Sequence, residues 1–359
     1  MSLEVAVVGG GVAGLSAAYF LAKRGARVKV FEKKYLVYGA SGRNSGGLTA
    51  QFEDELLVKL ALRSLQLYDE LQNEIGFNFL LRRSGYVKLA SGDDVEKIER
   101  EAKFLRSLGV EVEILDGADV KELFPDINSE AFDAASYFKS GGVVFPWPVI
   151  WGLAKGCKKL GVEIYDYTPA SVVVDGGSIR GVRANGEFHR ADVVINAAGA
   201  WSNEVSGQAG VELNNRIVKE EICVTESLKP YIDPYFLDVS RGVYFTQSMR
   251  GEIVGGILGS EGSDMRASLD FLVKYAKAVT KLVPKLRGLS VLRQWAGVYD
   301  ESPSGKPVVG FTSVEGFVQL NGFGRKGMSL ALACGEEVAK LVFGEKSLFG
   351  DSVEGEEIR

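Results

Sequence analysis

Apolar positions in this chain switch between two periods, and the first thirty residues show both. Residues 3–8 form an apolar, β-branched run of the kind found in a strand buried on both faces. Leu15, Ala18, Tyr19 and Leu21-Ala22 then recur at helical spacing. Gly25 is placed to end that helix, and residues 26–31 form a second strand that closes on Glu32. Residues 53–74 read as one long amphipathic helix with Leu56, Leu57, Leu60, Leu67 and Leu71 on its stripe. Residues 79–90 read as strands around a turn at Ser84-Gly85. Residues 93–108 read as a helix, 110–115 as a strand, and 116–124 as a short helix stopped by Pro125.

The second half repeats both periods. A helix is expected over 149–160, a strand over 162–165, and a meander over 170–175, 179–184 and 187–191. Residues 192–196 are a buried strand running into Ala197-Ala198-Gly199-Ala200-Trp201-Ser202. Stretches 217–225, 242–247 and 252–258 alternate as antiparallel strands do. A helix over 269–282 and a strand over 291–300 follow. Short strands at 307–311 and 316–320 lead into a glycine-rich turn, 321–328, and a helix over 329–341. The acidic tail after Gly344 is expected to fray.

The first element set is a βαβ unit carrying Gly9-Gly10-Gly11-Val12-Ala13-Gly14. Gly9 allows the tight turn, Gly11 lets a pyrophosphate approach the backbone, and Gly14 lets helix and strand pack closely. The helix N-terminus offers free N–H groups to phosphate. Glu32 stands where a carboxylate accepts hydrogen bonds from a ribose 2′-hydroxyl, which argues against a 2′-phosphate. The motif by itself fits NAD and FAD equally. The glycine-rich segment 38–48 reads as a loop able to wrap a ligand or as a plain connector. The turn at 321–328 repeats the phosphate-turn logic at a second helix N-terminus.

Composition narrows the function class. A chain of 359 residues suits two domains. The net charge of −5 comes from well-mixed acids and bases, which argues against a nucleic-acid binder. No apolar run reaches the length needed to cross a bilayer, and no signal pattern opens the chain. The protein is therefore expected in the cytoplasm, free or peripheral to a membrane. Cys157, Cys223 and Cys334 are far apart and suit neither a disulfide framework nor a zinc site. His189, the single histidine, sits beside a turn on an expected surface strand, which argues against a histidine dyad or a histidine metal site. Few His, Met and Cys with abundant Val, Lys and Glu fit a thermophilic source.

Four motifs in order carry a family resemblance: residues 7–14 through Glu32, residues 40–47, residues 196–201, and Trp295-Ala296-Gly297-Val298-Tyr299 through Gly327. The chain resembles the FAD-dependent D-amino-acid oxidase superfamily, which includes glycine oxidase, sarcosine oxidase, D-amino-acid dehydrogenase and archaeal dye-linked proline dehydrogenase. The resemblance implies an α/β plus α+β fold. A Rossmann-like FAD-binding domain (1–80, 141–212 and 290–359) would join a mainly antiparallel substrate-binding domain (81–140 and 213–289).

It also implies non-covalent FAD in an extended pose. Gly9, Gly11, Val12, Ala13, Gly14, Glu32 and Lys33 would hold the ADP half, with Val172, Ala197, Ala198, Gly199 and Trp201 alongside. The loop Ser41, Arg43, Asn44, Ser45, Gly46, Gly47 and Leu48 would lie against pyrophosphate and flavin. Gly322, Gly324, Arg325, Lys326, Gly327 and Met328 would lie near flavin N1 and O2, where N–H groups stabilise negative charge. Gly297 stands where sarcosine oxidases carry the cysteine that binds flavin covalently. By the same resemblance, Arg325 would hold a substrate carboxylate and Tyr244 would belong to the substrate site. Read from residue type, Arg325 also fits a surface ion pair, and Tyr244 an ordinary sheet aromatic.

The implied activity is oxidation of an α-amino acid (a D-amino acid, proline, glycine or N-methylglycine) to its imine by hydride transfer to flavin N5. Oxygen or a quinone or dye would accept the electrons, with a homo-oligomer or a larger complex as the assembly. The alternatives are a flavin dehydrogenase of another substrate and an electron-transfer subunit.

Overall fold

The first strand, Glu4–Val8, splits its side chains between two layers. Val5 and Val7 join the core that contains the helices, whereas Ala6 and Val8 join the core beneath a three-stranded meander. This two-sided burial explains its continuous apolar run. The computed structural model describes residues 2–350. Its first sheet has the order Val308–Phe311, Phe317–Asn321, Val193–Asn196, Glu4–Val8, Arg27–Phe31 and Glu163–Tyr165. All neighbours are parallel except the outermost pair, Val308–Phe311 with Phe317–Asn321. Helices Val12–Lys23, Glu55–Ile75, Pro146–Lys159 and Gly327–Val342 share the larger core. The meander Ala170–Asp175, Ser178–Ala184 and Glu187–Arg190 covers the other face.

The second sheet has eight strands, in the order Val291–Glu301, Arg216–Ser227, Glu252–Glu261, Val243–Gln247, Tyr235–Asp238, Tyr86–Ala90, Ala134–Phe138 and Glu113–Leu115. It is antiparallel apart from the pairing of Tyr235–Asp238 with Tyr86–Ala90. The helix Leu269–Leu282 covers one face, with Phe271, Tyr275 and Val279 packed among Phe236, Phe245 and Ile253. The opposite face is turned to the cavity described below. The sequence expectation of α/β plus α+β architecture holds.

Several local expectations change. Residues 79–85 are not a strand: Leu80 has a positive φ of 54°, and only Arg82 makes a bridge, to Val143. The helix expected from 149 begins at Pro146, because a proline at the first helical position gives up no hydrogen bond. The last helix likewise begins at Gly327, after a turn of 3-10 helix at Gly324–Lys326. Ala134–Phe138, Tyr235–Asp238 and the helix Ser202–Gln208 had no counterpart in the periodic pattern. His189 lies on its strand with its ring 5.1 Å from that of Phe31.

Residues 345–349 are tied down rather than frayed. Glu337 accepts hydrogen bonds from Leu348 N (2.7 Å) and Ser347 Oγ (3.0 Å). The rest of the acidic tail, 351–359, lies outside the described residues. Val291–Glu301 pairs along Arg216–Ser227 and is the edge strand of the second sheet.

Candidate active site

A cleft of about 770 Å³ runs from the carboxyl ends of the parallel strands to the open face of the second sheet. At its near end the chain turns sharply out of Glu4–Val8. Gly9 has φ +114°, and a Cβ there would lie 2.3 Å from Ala197 O. A Cβ on Gly14 would lie 2.0 Å from Gly9 O, so this turn exists only with glycine at both places. The following helix has no side-chain cap on Gly11, but Val12 N donates to Ser41 Oγ at 3.0 Å. Glu32 accepts hydrogen bonds from Gly10 N and Lys34 N, both 2.9 Å, which fixes its carboxylate at the end of the second strand. Lys33 Nζ sits 3.6 Å from the Trp201 ring centre. Burial lowers the Lys33 pKa.

The loop after residue 38 is stapled by its own side chains. Asn44 Nδ2 donates to Ala40 O (3.1 Å) and Ser41 O (2.9 Å), and Asn44 Oδ1 accepts from Gly46 N (2.8 Å). Arg43 donates from Nε to Tyr38 O (2.7 Å) and from Nη1 to Ala296 O (3.2 Å), while Trp295 Nε1 donates back to Arg43 O (3.0 Å). Arg43 thus ties the loop to the second sheet. Ser45 Oγ lies 2.9 Å from Tyr235 Oη. Gly47–Leu48 forms a two-residue strand with Gly142–Val143.

At the far end, alternate residues of four strands point into the cleft: Tyr86 and Lys88, Glu220 and Ile222, Tyr235 and Leu237, Gly297 and Tyr299. Period-two alternation puts each pair on one face. Tyr86 stacks on Tyr235 (4.7 Å between ring centres), Tyr235 on Tyr244 (6.0 Å), and the Arg325 guanidinium sits 5.0 Å over the Tyr244 ring. Burial pushes the phenols of Tyr235 and Tyr244 well above their ordinary range, so both stay neutral donors.

The turn bearing Arg325 is fixed by Asp300, which accepts from Gly322 N (2.7 Å) and Asn215 Nδ2 (3.1 Å). Burial raises the Asp300 pKa. Arg325 Nε donates to Glu220 Oε2 at 2.9 Å. Its terminal nitrogens have no acceptor among the described residues, and the side chain is 29% exposed. Burial works against its charge, but Glu220 outweighs this and holds the guanidinium protonated. Lys326 Nζ donates to Gly305 O (2.8 Å), and burial lowers its pKa.

Most of the residues expected from sequence line this one cleft. Gly14, Leu48, Val172, Gly322 and Tyr244 lie just behind its wall. Val172 N is engaged by Gln208 Oε1 at 2.9 Å, and Tyr244 is fully buried with its Oη on Glu220. Glu220, Tyr86, Tyr235, Tyr299 and the Lys88–Glu101 ion pair (2.6 Å) escaped sequence reasoning. Their one signal was alternation on strands whose partners are distant in sequence. Among the described residues no cysteine lines the cleft, and no group of acids, histidines or cysteines could hold a metal.

The sequence matches the family described as DAO, FAD dependent oxidoreductase, over residues 4–341, and the chain belongs to that family. It is 28% identical to glycine oxidase of Geobacillus kaustophilus, over 96% of this chain and 94% of that one. It is 27% identical to sarcosine oxidase subunit beta of Rhodobacter capsulatus, covering 94% and 84% of the two chains. The crystal structure of L-proline dehydrogenase from P. horikoshii superposes with a TM-score of 0.91 at 30% identity, over 97% of this chain and 95% of that one.

The protein is thus an FAD-dependent oxidoreductase, and its own residues fit the cofactor. The glycine turn leaves no room for a Cβ, the adjoining helix N-terminus lacks a side-chain cap, and a fixed carboxylate stands at the strand end. The cleft continues beyond that turn to a second chamber walled by tyrosines.

Proposed function

We propose that the chain oxidises an α-amino acid to the imine, with a D-amino acid, proline, glycine or N-methylglycine as the substrate class. One observation carries this reading: Arg325 projects into the chamber with its Nε fixed and its two terminal nitrogens open. A guanidinium presented in this way binds a carboxylate through two parallel hydrogen bonds. FAD, when bound, supplies a hydride acceptor at N5. The protein's part is to place the substrate Cα–H toward it, a positioning effect.

Gly9, Gly11, Glu32 and Lys33 would hold the ADP half. Residues 41–48 and the turn at 322–328 would border the flavin. Tyr86, Tyr235 and Tyr299 wall the chamber and exclude water from the reacting carbon. The amine must arrive neutral, and no histidine lines the cleft to take its proton. In this reading residues 1–80, 141–212 and 302–359 form the cofactor unit, and 81–140 with 213–301 the substrate unit.

Among the described residues no helix is long and apolar enough to cross a membrane. Similarity to a sarcosine oxidase subunit supports a second possibility for the assembly, a flavin subunit that passes electrons to partner chains. The test is an anaerobic titration of the FAD-loaded protein with proline, glycine, sarcosine and D-amino acids, followed by visible absorption. Bleaching with one of them supports the reading, and bleaching with none sinks it. Arg325→Ala should keep its flavin but lose about 100- to 1000-fold in kcat/KM, the equivalent of two charge-assisted hydrogen bonds. Turnover at the wild-type rate would remove Arg325 from the site. Steady-state turnover of the isolated chain with oxygen and with a quinone then separates a self-sufficient oxidase from a subunit.

A further inference from the structure

The cavity-facing side of the second sheet carries three charged residues at alternating positions, and each has a partner. Lys88 is paired with Glu101 (2.6 Å), Glu301 with Arg216 (2.6 Å), and Glu220 with Arg325 (2.9 Å). The third pair differs from the others, because its cation is the group assigned to grip substrate. We propose that Glu220 is a positioning residue that sets the charge selectivity of the chamber. It holds Arg325 by its Nε edge and cancels its charge, so that the site accepts one carboxylate and rejects a second. The proposal rests on the reading of Arg325 as the carboxylate clamp.

Four donors converge on the Glu220 carboxylate. Tyr244 Oη donates to Oε1 at 2.6 Å. Arg325 Nε (2.9 Å), Gly259 N (3.2 Å) and Tyr299 Oη (3.3 Å) donate to Oε2. A carboxylate so occupied has little acceptor capacity left to bind substrate. The arrangement is built into the sheet. Gly256 stands opposite Tyr244, and a Cβ there would lie 2.5 Å from Tyr244 Oη, so only glycine leaves the phenol room to reach Glu220.

Holding Nε fixes the plane of the guanidinium and leaves its other edge for a ligand. The Glu220 side chain is only 12% exposed, so its charge is weakly screened by water. A monocarboxylate meets the free edge of Arg325 and adds one negative charge to a balanced pair. A dicarboxylate adds a second, which no unpaired cation on this face offsets among the described residues: Lys88 is taken by Glu101, and the Tyr86 hydroxyl brings a hydrogen but no charge. Removing the Glu220 charge should favour the second carboxylate by about tenfold or more at the short separations inside the chamber.

The experiment uses the FAD-loaded full chain with cyclopentanecarboxylate and glutarate as probes. Binding is read by titration calorimetry and by the shift of the flavin bands. The wild type should bind cyclopentanecarboxylate at least about tenfold more tightly than glutarate. Glu220→Gln should move that ratio about tenfold or more toward glutarate. Glu220→Asp, which keeps the charge while shortening the arm, should weaken both probes and leave the ratio near the wild-type value. Equal wild-type affinity for the two probes overturns the proposal without any variant. A ratio unmoved in a folded, flavin-bearing Glu220→Gln protein, or moved equally in Glu220→Asp, overturns it as well. In all these outcomes the carboxylate clamp itself stands. A wild type that binds neither carboxylate overturns the clamp and this proposal together.

Discussion

At the first glycine turn, residues 9–14, the protein meets the cleft with backbone alone. At the last, residues 322–328, it presents Arg325 and Lys326 from a backbone of the same kind. Each turn joins a parallel strand of the first sheet to a helix whose N-terminus has no side-chain cap. The first is held from within its own unit, by Gly9 N on Phe31 O (2.9 Å) and by Glu32. The last is held from the second sheet, by Asp300 on Gly322 and by Glu220 on Arg325. The first turn therefore takes its shape from its own βαβ unit, without help from the second sheet. The last takes its geometry from the second sheet, so in the proposed function cofactor contact and substrate contact would share one short segment.

Breaking the first turn should have the largest effect. Gly14→Ala puts a Cβ on Gly9 O, an overpacking that costs about 1–3 kcal/mol or more, and FAD affinity should fall at least about tenfold. The flavin retained after desalting measures this, and full retention would mean that the turn is not the cradle.

Next comes the contact that ties the two turns together. The first and last helices cross where Gly335 meets Ser16, whose Oγ also donates to Leu332 O at 3.0 Å. Gly335→Ala would place a Cβ 2.4 Å from Ser16 Oγ and 2.6 Å from Ala17 N. We expect about 1–3 kcal/mol lower stability by denaturant melting, with flavin lost from both turns together. Loss of substrate binding with FAD retained would show instead that the turns move independently.

The smallest effect sharpens the comparison at the surface, where Arg63 on the long helix clasps Glu336 on the last helix through Nε and Nη2, both at 2.8 Å. Burial pushes the Glu336 carboxyl up, but Arg63 outweighs this and holds it below its ordinary 4.5. A carboxylate depressed in the folded state contributes stability above that ordinary value and loses it as pH falls through the folded one. Arg63→Ala should therefore cost about 0.5–1 kcal/mol at pH 7, after allowance for solvent screening, and progressively less below pH 4.5. A gap that stays constant down to acid pH would assign the loss to packing of the arginine stem.

Much of the first sheet was legible because its signals are local. The run before Gly9, the helical spacing of Leu15, Ala18 and Tyr19, and the acid at 32 all fall within one βαβ unit. The turn at 321–328 was legible for the same reason. The second sheet was legible only in part. Tyr235–Asp238 is four residues long and buried on both faces, with the distant strand Tyr86–Ala90 on one side, so it shows no alternation of polar and apolar positions. Glu220 looked like one of several acids on an alternating strand. What gives it a role is Arg325, 105 residues further on, together with Tyr244 and Tyr299. Arg43, assigned to the cofactor, turns out to spend two donors on backbone carbonyls, a use that residue type alone does not reveal.

The crossing of the first and last helices has a consequence for the order in which the protein assembles. Ser16 and Leu332, which touch there, are 316 residues apart. Glu4–Val8 finds one neighbour, Arg27–Phe31, early in synthesis but must wait for Val193–Asn196 before it is flanked on both sides. The helix behind residues 9–14 packs on Pro146–Lys159 as well, but it is covered in full only once Gly327–Val342 has been made. Such long-range closure is slow and leaves apolar surface open meanwhile. A cofactor held by both turns would bind only the closed form, and FAD present during synthesis would then draw the chain toward completion by mass action. Starving cells of flavin should then lower the amount of folded protein as well as its activity.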